Sequence, residues 1–108
     1  VTALAESMQL CQAMGLDQRH FIALLDGGPL GSTYALQKLD EMQRHEYPAG
    51  FPVRLALKDL QLVREVQAGS RTPMGLLDAV LERFTTATPD IANQDLAAIY
   101  ELHQPERA

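Results

Sequence analysis

The feature that most restricts the fold is a repeated alternation of short apolar helical patterns with glycine and proline. Between the breaks, apolar residues recur at spacings of three and four, the periodicity of one face of an α-helix. No segment alternates with period two for long, and no Asn-Gly or Asp-Gly pair joins two apolar runs in the manner of a β-hairpin. The pattern therefore predicts an all-α bundle of about six helices with tight connections.

The first three helices carry recognisable end signals. Gly15 follows the first apolar pattern where a C′ glycine would end a helix. Asp17 is expected to cap the second helix, and Ser32 or Thr33 the third, because their side-chain oxygens can accept hydrogen bonds from free backbone N–H groups. Residues 27–29, Gly-Gly-Pro, separate these two helices.

The second half of the chain predicts three more helices. The fourth is expected over about residues 53–68, with Gly69 closing it. Thr72 is expected to cap the fifth, with Pro73 just inside, where a missing N–H has no helical partner to lose. A short last helix is expected over about residues 95–103, after the break at residues 88–90.

Composition is that of one globular domain. The 108 residues, 46% hydrophobic and 21% charged, can form a single core but are too few for two, so residues 1–108 are expected to form one domain. The net charge of −5 would repel a phosphate backbone, and the chain has no Trp and only three Phe and three Tyr for base stacking. Nucleic acid is therefore not an expected partner.

Membrane and secretory locations are not expected either. No apolar run approaches the roughly 18 residues that a membrane-spanning helix needs, and no signal peptide is recognisable. The single cysteine, Cys11, cannot form an internal disulfide and lies in an apolar helical pattern, which predicts a small buried hydrophobic side chain. A lone cysteine fits a reducing cytoplasm. Val1 begins directly in a helical pattern without a cap, so we expect the chain to be part of something longer.

Familiar nucleotide and metal motifs are missing. The chain has no GxGxxG, Walker, HExxH or CxxC motif, and His20, His45 and His103 have no metal-ligand spacing, so no metal site is expected. The glycine-rich residues 27–31 follow a helix rather than a strand, which favours an interhelical loop over a phosphate cradle.

Two residues allow both a structural and a functional interpretation. Lys58 lies within an apolar helical pattern, where it could extend its charge from a buried face to solvent or pair with a nearby carboxylate. Alternatively, it could supply a point charge to a phosphate, carboxylate or ribose hydroxyl of a ligand. Phe51, in the irregular stretch before the fourth helix, could pack that stretch onto the helix or form the wall of a ligand pocket. Taken alone, both residues favour the structural interpretation.

Residues 47–62, YPAGFPVRLALKDLQL, change this balance. They resemble a segment of the β-hydroxyacid dehydrogenases, in which a Phe and a short apolar spacer precede Lys-Asp-Leu on an amphipathic helix. This family includes 3-hydroxyisobutyrate dehydrogenase and is related to 6-phosphogluconate dehydrogenase. Weaker similarities extend the resemblance over nearly the whole chain, at residues 4–17, 31–36, 72–74 and 95–99. Departures at residues 70–73 and 88–94 bear on subfamily and substrate rather than on fold.

The resemblance implies a fold and a set of site residues. It implies the helical C-terminal domain of a 6-phosphogluconate dehydrogenase-like protein, without the N-terminal Rossmann domain that binds most of the NAD or NADP. Lys58 matches the family lysine that reaches the cofactor, and Phe51 would lie near the substrate pocket. The catalytic lysine of the family would precede Val1, and Lys38 does not match it. Asp59 and Asp95 are expected to be structural, Asp95 as a helix cap.

The resemblance implies that the chain is the C-terminal domain of an oxidoreductase. The parent protein would interconvert a small β-hydroxyacid and its semialdehyde and form a homodimer or higher homo-oligomer, while the isolated chain would be inactive. An alternative is a non-catalytic helical oligomerisation module derived from the same family. The sequence before Val1 would separate the two, because only the enzyme needs a lysine there. An unrelated helical adapter is a third interpretation, and it predicts no Rossmann fold upstream.

Overall fold

A computed structural model describes residues 1–87 and 89–103. The elements are five α-helices and a C-terminal 3₁₀ helix: α1 Thr2–Ala13, α2 Gln18–Leu25, α3 Thr33–Arg44, α4 Val53–Ser70, α5 Gly75–Ala87, and the 3₁₀ helix Leu96–His103. Over the described residues the only β-type pairing is one isolated bridge, between Pro52 and Asp95. The expected all-α class with six helices is therefore confirmed, although the last helix is 3₁₀ rather than α.

The chain forms two compact units, which are described one at a time. The first contains residues 1–47, with α1, α2 and α3, together with residues 97–103 of the 3₁₀ helix. The second contains residues 48–96, with α4, α5 and the irregular segments that precede and follow them. None of the helices in the described part of the chain is long and apolar enough to span a bilayer.

The core of the first unit gathers around the 3₁₀ helix. Four consecutive residues of that helix are buried, a pattern that fits neither a strand nor a single helical face. The buried hydrophobic side chains of the unit come from three elements: Ala5, Met8, Ala35, Leu39, Met42, Ala97, Ala98, Ile99 and Tyr100. Because so many of them are small, the elements can pack closely.

Tyr100, 1% exposed, ties the 3₁₀ helix to α1 and α2. Gln18 donates through Nε2 to the tyrosine hydroxyl (2.7 Å) and to the carbonyl of Met8 (2.9 Å). The hydroxyl in turn donates to Oε1 of Gln12 (3.1 Å), and Gln9 donates to the tyrosine carbonyl (2.9 Å). A buried tyrosine needs such partners, because an unpaired hydroxyl loses its hydration without compensation.

The expected end of α1 and the expected starts of α2 and α3 are confirmed. Gly15 has a φ of +71°, the left-handed conformation that favours glycine at a helix C-terminus. Asp17 caps α2 by accepting the N–H of Arg19 (2.9 Å), and Ser32 caps α3 by accepting the N–H of Ala35 (3.1 Å).

The predicted ends of α4 and α5 were wrong by about two residues. Helix α4 passes through Gly69 and ends at Arg71, which takes the left-handed conformation (φ +58°) and donates its N–H to the carbonyl of Gln67. Glycine is tolerated inside the helix because its penalty relative to alanine is only about 1 kcal/mol. Helix α5 begins at Gly75 rather than next to Thr72, whose carbonyl instead accepts a bond from Gln67 Nε2 (2.7 Å).

Cys11 is not the buried residue that its pattern predicted. It is partly exposed and lines a groove of about 210 Å³ between α1 and α2, together with Leu16 and Phe21. Neighbouring apolar side chains are open as well, with Leu10 61% and Leu24 80% exposed. The apolar periodicity of α1 therefore marks two faces, of which only the one with Ala5 and Met8 is buried.

Candidate functional site on the fourth helix

The first turn of α4 is bound by the segment that precedes the 3₁₀ helix. The N–H of Val53 donates to the carbonyl of Gln94 (2.9 Å), and the N–H of Arg54 to the carbonyl of Ala92 (3.0 Å). The guanidinium of Arg54 also donates to Oδ1 of Asn93 (3.1 Å). These N–H groups would otherwise lack partners at a helix start. Because they are already paired, any ligand here must be held mainly by side chains rather than by the helix N-terminus.

The loop before α4 is closed by Asp95. In the antiparallel bridge Pro52 faces Asp95, and the N–H of Leu96 donates to the carbonyl of Phe51 (3.0 Å). Oδ1 of the fully buried Asp95 accepts the N–H of Phe51 (2.9 Å). A Cβ on Gly50 would lie 2.9 Å from the same oxygen, so this close approach needs glycine. The expected structural role of Asp95 is found, since its side chain holds the entry to α4.

Phe51 and Lys58 both lie in the second unit and are both solvent-exposed. Phe51 is 41% exposed and precedes α4, while Lys58 is in the second turn of the helix. Arg54, also exposed, lies four residues before Lys58 and therefore on the same face. Leu55 and Leu62 add exposed apolar surface to this face, at 38% and 50%. We call the exposed surface of these five residues the α4 face.

The α4 face combines two cations with apolar surface. Two cations at this spacing repel each other slightly, by a few tenths of a kcal/mol, so they do little to stabilise the helix. They do create a local positive potential that attracts anionic groups. Sequence reasoning singled out Lys58 and missed Arg54, although the spacing of four within a helical pattern was visible. Asp59 is exposed, and no ion pair of its carboxylate is found in the described part of the chain.

The first unit contains its own polar clusters. Glu101 accepts hydrogen bonds from the hydroxyl of Tyr47 and pairs with Nδ1 of His45, whose ring lies 5.7 Å from that of Tyr100. Burial, and then the bond to Glu101, raise the pKa of Tyr47 well above its usual value. Within residues 1–87 and 89–103 no group of histidine, cysteine and carboxylate side chains could hold a metal ion.

Lys38, the first lysine of the chain, is buried. It does not match the catalytic lysine of the family. It is 4% exposed, with its ammonium 3.2 Å from Oε1 of Glu41 and 5.1 Å from the ring centre of Tyr34. A buried lysine requires such partners, because an uncompensated charge in the interior is strongly unfavourable. The structure therefore gives Lys38 a role within the core of the first unit.

Comparisons with known proteins identify the family and the fold of the chain. Residues 1–103 match the family model described as "NAD-binding of NADP-dependent 3-hydroxyisobutyrate dehydrogenase". A solved 3-hydroxyisobutyrate dehydrogenase from Salmonella typhimurium has the same fold, with a TM-score of 0.84 at 22% identity over 94% of this chain. The cytokine-like nuclear factor N-PAC of Xenopus tropicalis is 25% identical over 104 residues, or 95% of the chain.

The match to these proteins is local to one region of each. The chain spans 36% of the Salmonella structure and 20% of the Xenopus protein. The family match, by contrast, covers nearly the whole chain and confirms the resemblance found in residues 47–62. The chain belongs to the NAD-binding domain family of 3-hydroxyisobutyrate dehydrogenases, within the β-hydroxyacid dehydrogenases.

Proposed function

We propose that the chain is the C-terminal helical domain of an NAD(P)-dependent oxidoreductase that interconverts a small β-hydroxyacid and its semialdehyde. The observation that carries this proposal is the α4 face, where Phe51, Arg54 and Lys58 present an aromatic ring and two cations within two helical turns. Membership of a family whose described property is NAD binding supports the choice of ligand. A preceding nucleotide-binding domain would hold most of the cofactor.

The residues present fit such a cofactor by their chemistry. A dinucleotide combines flat rings with phosphates and ribose hydroxyls, and the α4 face combines apolar area with exposed cations. Lys58 would donate to a ribose hydroxyl or phosphate oxygen, because an ammonium offers three rotatable donors. The same positive potential favours the carboxylate of a hydroxyacid substrate, for which Phe51 would form part of the pocket wall.

In this proposal the chain contributes binding and orientation, and the proton transfer lies elsewhere. The nicotinamide, when bound, supplies or accepts the hydride. Phe51 excludes water from one side of the pocket, while Lys58 orients the cofactor from the helical side. The family's acid/base lysine would precede Val1, so the 108-residue chain alone is expected to have no turnover. Nucleotide-dependent reduction of a small semialdehyde by this chain alone would contradict that expectation.

The role of Lys58 is tested by Lys58→Ala in the full-length protein. A hydrogen bond to a charged group is commonly strong enough that its loss raises the KM for the nucleotide roughly tenfold. We expect a smaller change in kcat, and partial recovery in Lys58→Arg. Steady-state kinetics measure the KM for the nucleotide and kcat of the wild type and of both variants. Assays with NADH, with NADPH and with a panel of small semialdehydes also identify the preferred nucleotide and substrate.

Arg71→Asn is the matched control, because it removes an exposed cation of the same unit and asparagine tolerates the left-handed conformation found there. It should leave the KM for the nucleotide and the KM for the semialdehyde unchanged. An equal rise in nucleotide KM for the control and for Lys58→Ala would mean that general charge, and not the α4 face, binds the cofactor.

The second candidate is a non-catalytic helical oligomerisation module. It is favoured by the similarity to a protein whose name describes a nuclear factor rather than a dehydrogenase. It predicts a full-length protein that assembles but reduces no semialdehyde, and an upstream sequence without the family's lysine. Our first proposal predicts that lysine and a cytoplasmic enzyme that pairs as a homodimer or higher homo-oligomer.

A further inference from the structure

We propose that Asp95 is a positioning residue that sets where Phe51 stands in the substrate pocket, an inference that rests on the function proposed above. Asp95 and Phe51 are 44 residues apart in the chain. Sequence reasoning treated them separately, one as a structural carboxylate and the other as a pocket wall. The structure joins them through one oxygen of a fully buried side chain.

The geometry of the contact restrains Phe51 from both sides of its peptide backbone. Its N–H donates to Oδ1 of Asp95 (2.9 Å), and its carbonyl accepts the N–H of Leu96 (3.0 Å). The backbone of Phe51 is thus fixed, while its side chain stays 41% exposed and available to a ligand. A buried carboxylate that accepts a backbone N–H forms one of the stronger kinds of hydrogen bond.

The neighbouring residues are suited to this arrangement. Pro52 faces Asp95 at the bridge, where the pairing bonds run through the residues on either side, so its missing N–H removes no bond of the bridge. Gly50 leaves the space into which Oδ1 of Asp95 fits, because any Cβ there would approach it to 2.9 Å. We call the contacts of Asp95 with Gly50, Phe51 and Pro52 the Asp95 clamp.

The clamp also holds the start of α4, the helix that carries Lys58. Phe51 is followed at once by the first turn of α4, whose first N–H group, that of Val53, is paired with the residue next to Asp95. Because the segment around Asp95 holds both Phe51 and the start of α4, the position of Phe51 relative to Lys58 stays constant. Small displacements of a pocket wall can reduce catalytic efficiency strongly, by up to about a hundredfold per ångström.

Two variants open the clamp in different ways. Asp95→Ala removes the acceptor, and Gly50→Ala keeps it but introduces a Cβ that displaces the carboxylate. The first readout is hydrogen exchange of the Phe51 amide in the 108-residue chain, which we expect to be faster by roughly tenfold in both variants. Asp95→Asn retains an acceptor oxygen of similar shape and should restore most of the protection.

Matched controls separate the clamp from general loosening. Gly69→Ala adds a Cβ that meets no atom within 4 Å, and Asp90→Ala removes an exposed carboxylate from the segment that leads to Asp95. Neither should make the exchange of the Phe51 amide faster. If Asp95→Ala fails to fold, Gly50→Ala still decides. Unchanged protection in Gly50→Ala, or equal loss in Asp95→Asn and Asp95→Ala, would overturn the clamp.

The second readout is the kinetics of the full-length protein. We expect Gly50→Ala and Asp95→Ala to raise the KM for the semialdehyde roughly tenfold, with a smaller effect on the KM for the nucleotide. An active wild type whose clamp variants exchange faster but keep their substrate KM would overturn the positioning role and leave the proposed function intact. An inactive wild type would instead overturn the proposed function, while the exchange data would still decide whether the clamp exists.

Discussion

Tyr47 shows how a single residue can link pH to stability in the first unit. It is half-buried and donates its hydroxyl to Glu101. Burial raises its pKa above the usual 10.0, with a further contribution from the hydrogen bond. The unfolded chain therefore releases the tyrosine proton at a lower pH than the folded chain does. The stability linked to this group is complete below about pH 10 and is lost progressively as the pH rises further.

We therefore expect Tyr47→Phe to flatten the alkaline loss of stability. Urea unfolding followed by circular dichroism, at about pH 8 and about pH 10.5, should show a larger drop for the wild type than for the variant. Tyr34→Phe is the control, because Tyr34 is half-exposed in α3. If both variants lose as much stability as the wild type between these pH values, Tyr47 is not the group responsible.

At the scale of elements, the end of α4 is the clearest case in which a local signal was placed wrongly. A glycine at residue 69 was expected to end the helix, but the left-handed position belongs to Arg71. A non-glycine residue with positive φ is strained, since its Cβ crowds the backbone. The hydrogen bonds of Gln67 and Ser70 around the turn show how the helix end is held without glycine.

A helix end at Arg71 predicts effects of substitutions that are opposite to those expected from a helix end at Gly69. Gly69→Ala should stabilise the chain by about 0.5–1 kcal/mol, because alanine is favoured inside a helix. Arg71→Gly should also stabilise it, by up to about 1 kcal/mol, through relief of the left-handed strain. Thermal and urea unfolding measure both. Destabilisation by Gly69→Ala would restore Gly69 as the helix end.

At the scale of the whole molecule, the second unit leaves many apolar side chains exposed to solvent. A groove of about 490 Å³ is lined by apolar residues of α4, α5 and the turn between them, among them Leu60, Met74 and Leu77. Leu76, which also lines the groove, is 79% exposed, and Val66 in α4 is 75% exposed. Apolar patches of this kind often mark contacts with other protein surfaces. This surface supports the homo-oligomer in the proposed function.

We expect the full-length protein to sediment as a dimer or larger species, and Val66→Glu or Leu76→Glu to shift it towards monomer. A charge placed within an apolar interface must lose its hydration without a partner, which weakens association. Leu24→Glu in α2 is the control, since Leu24 is equally exposed but lies in the first unit. Monomers of the wild type at high concentration, or the same shift in the control, would argue against an interface at α4 and α5.

The sequence by itself determined the features that depend on neighbours within a few residues. Helical periodicity predicted six elements, and the caps at Asp17 and Ser32 and the turn at Gly15 were identified from single residues. Such signals are readable because a cap or a left-handed turn is made by atoms at most about four positions away. The functional interpretation of Lys58 and Phe51 was favoured only because residues 47–62 resemble a known family.

The tertiary structure decided what depends on distant parts of the chain. It paired Asp95 with Phe51 across 44 residues, and it paired the N–H groups at the start of α4 with carbonyls of the segment before the 3₁₀ helix. No local pattern encodes such pairs, because each partner alone is compatible with several environments. Burial then selects among them, since a polar group taken out of water must find a partner in the folded chain.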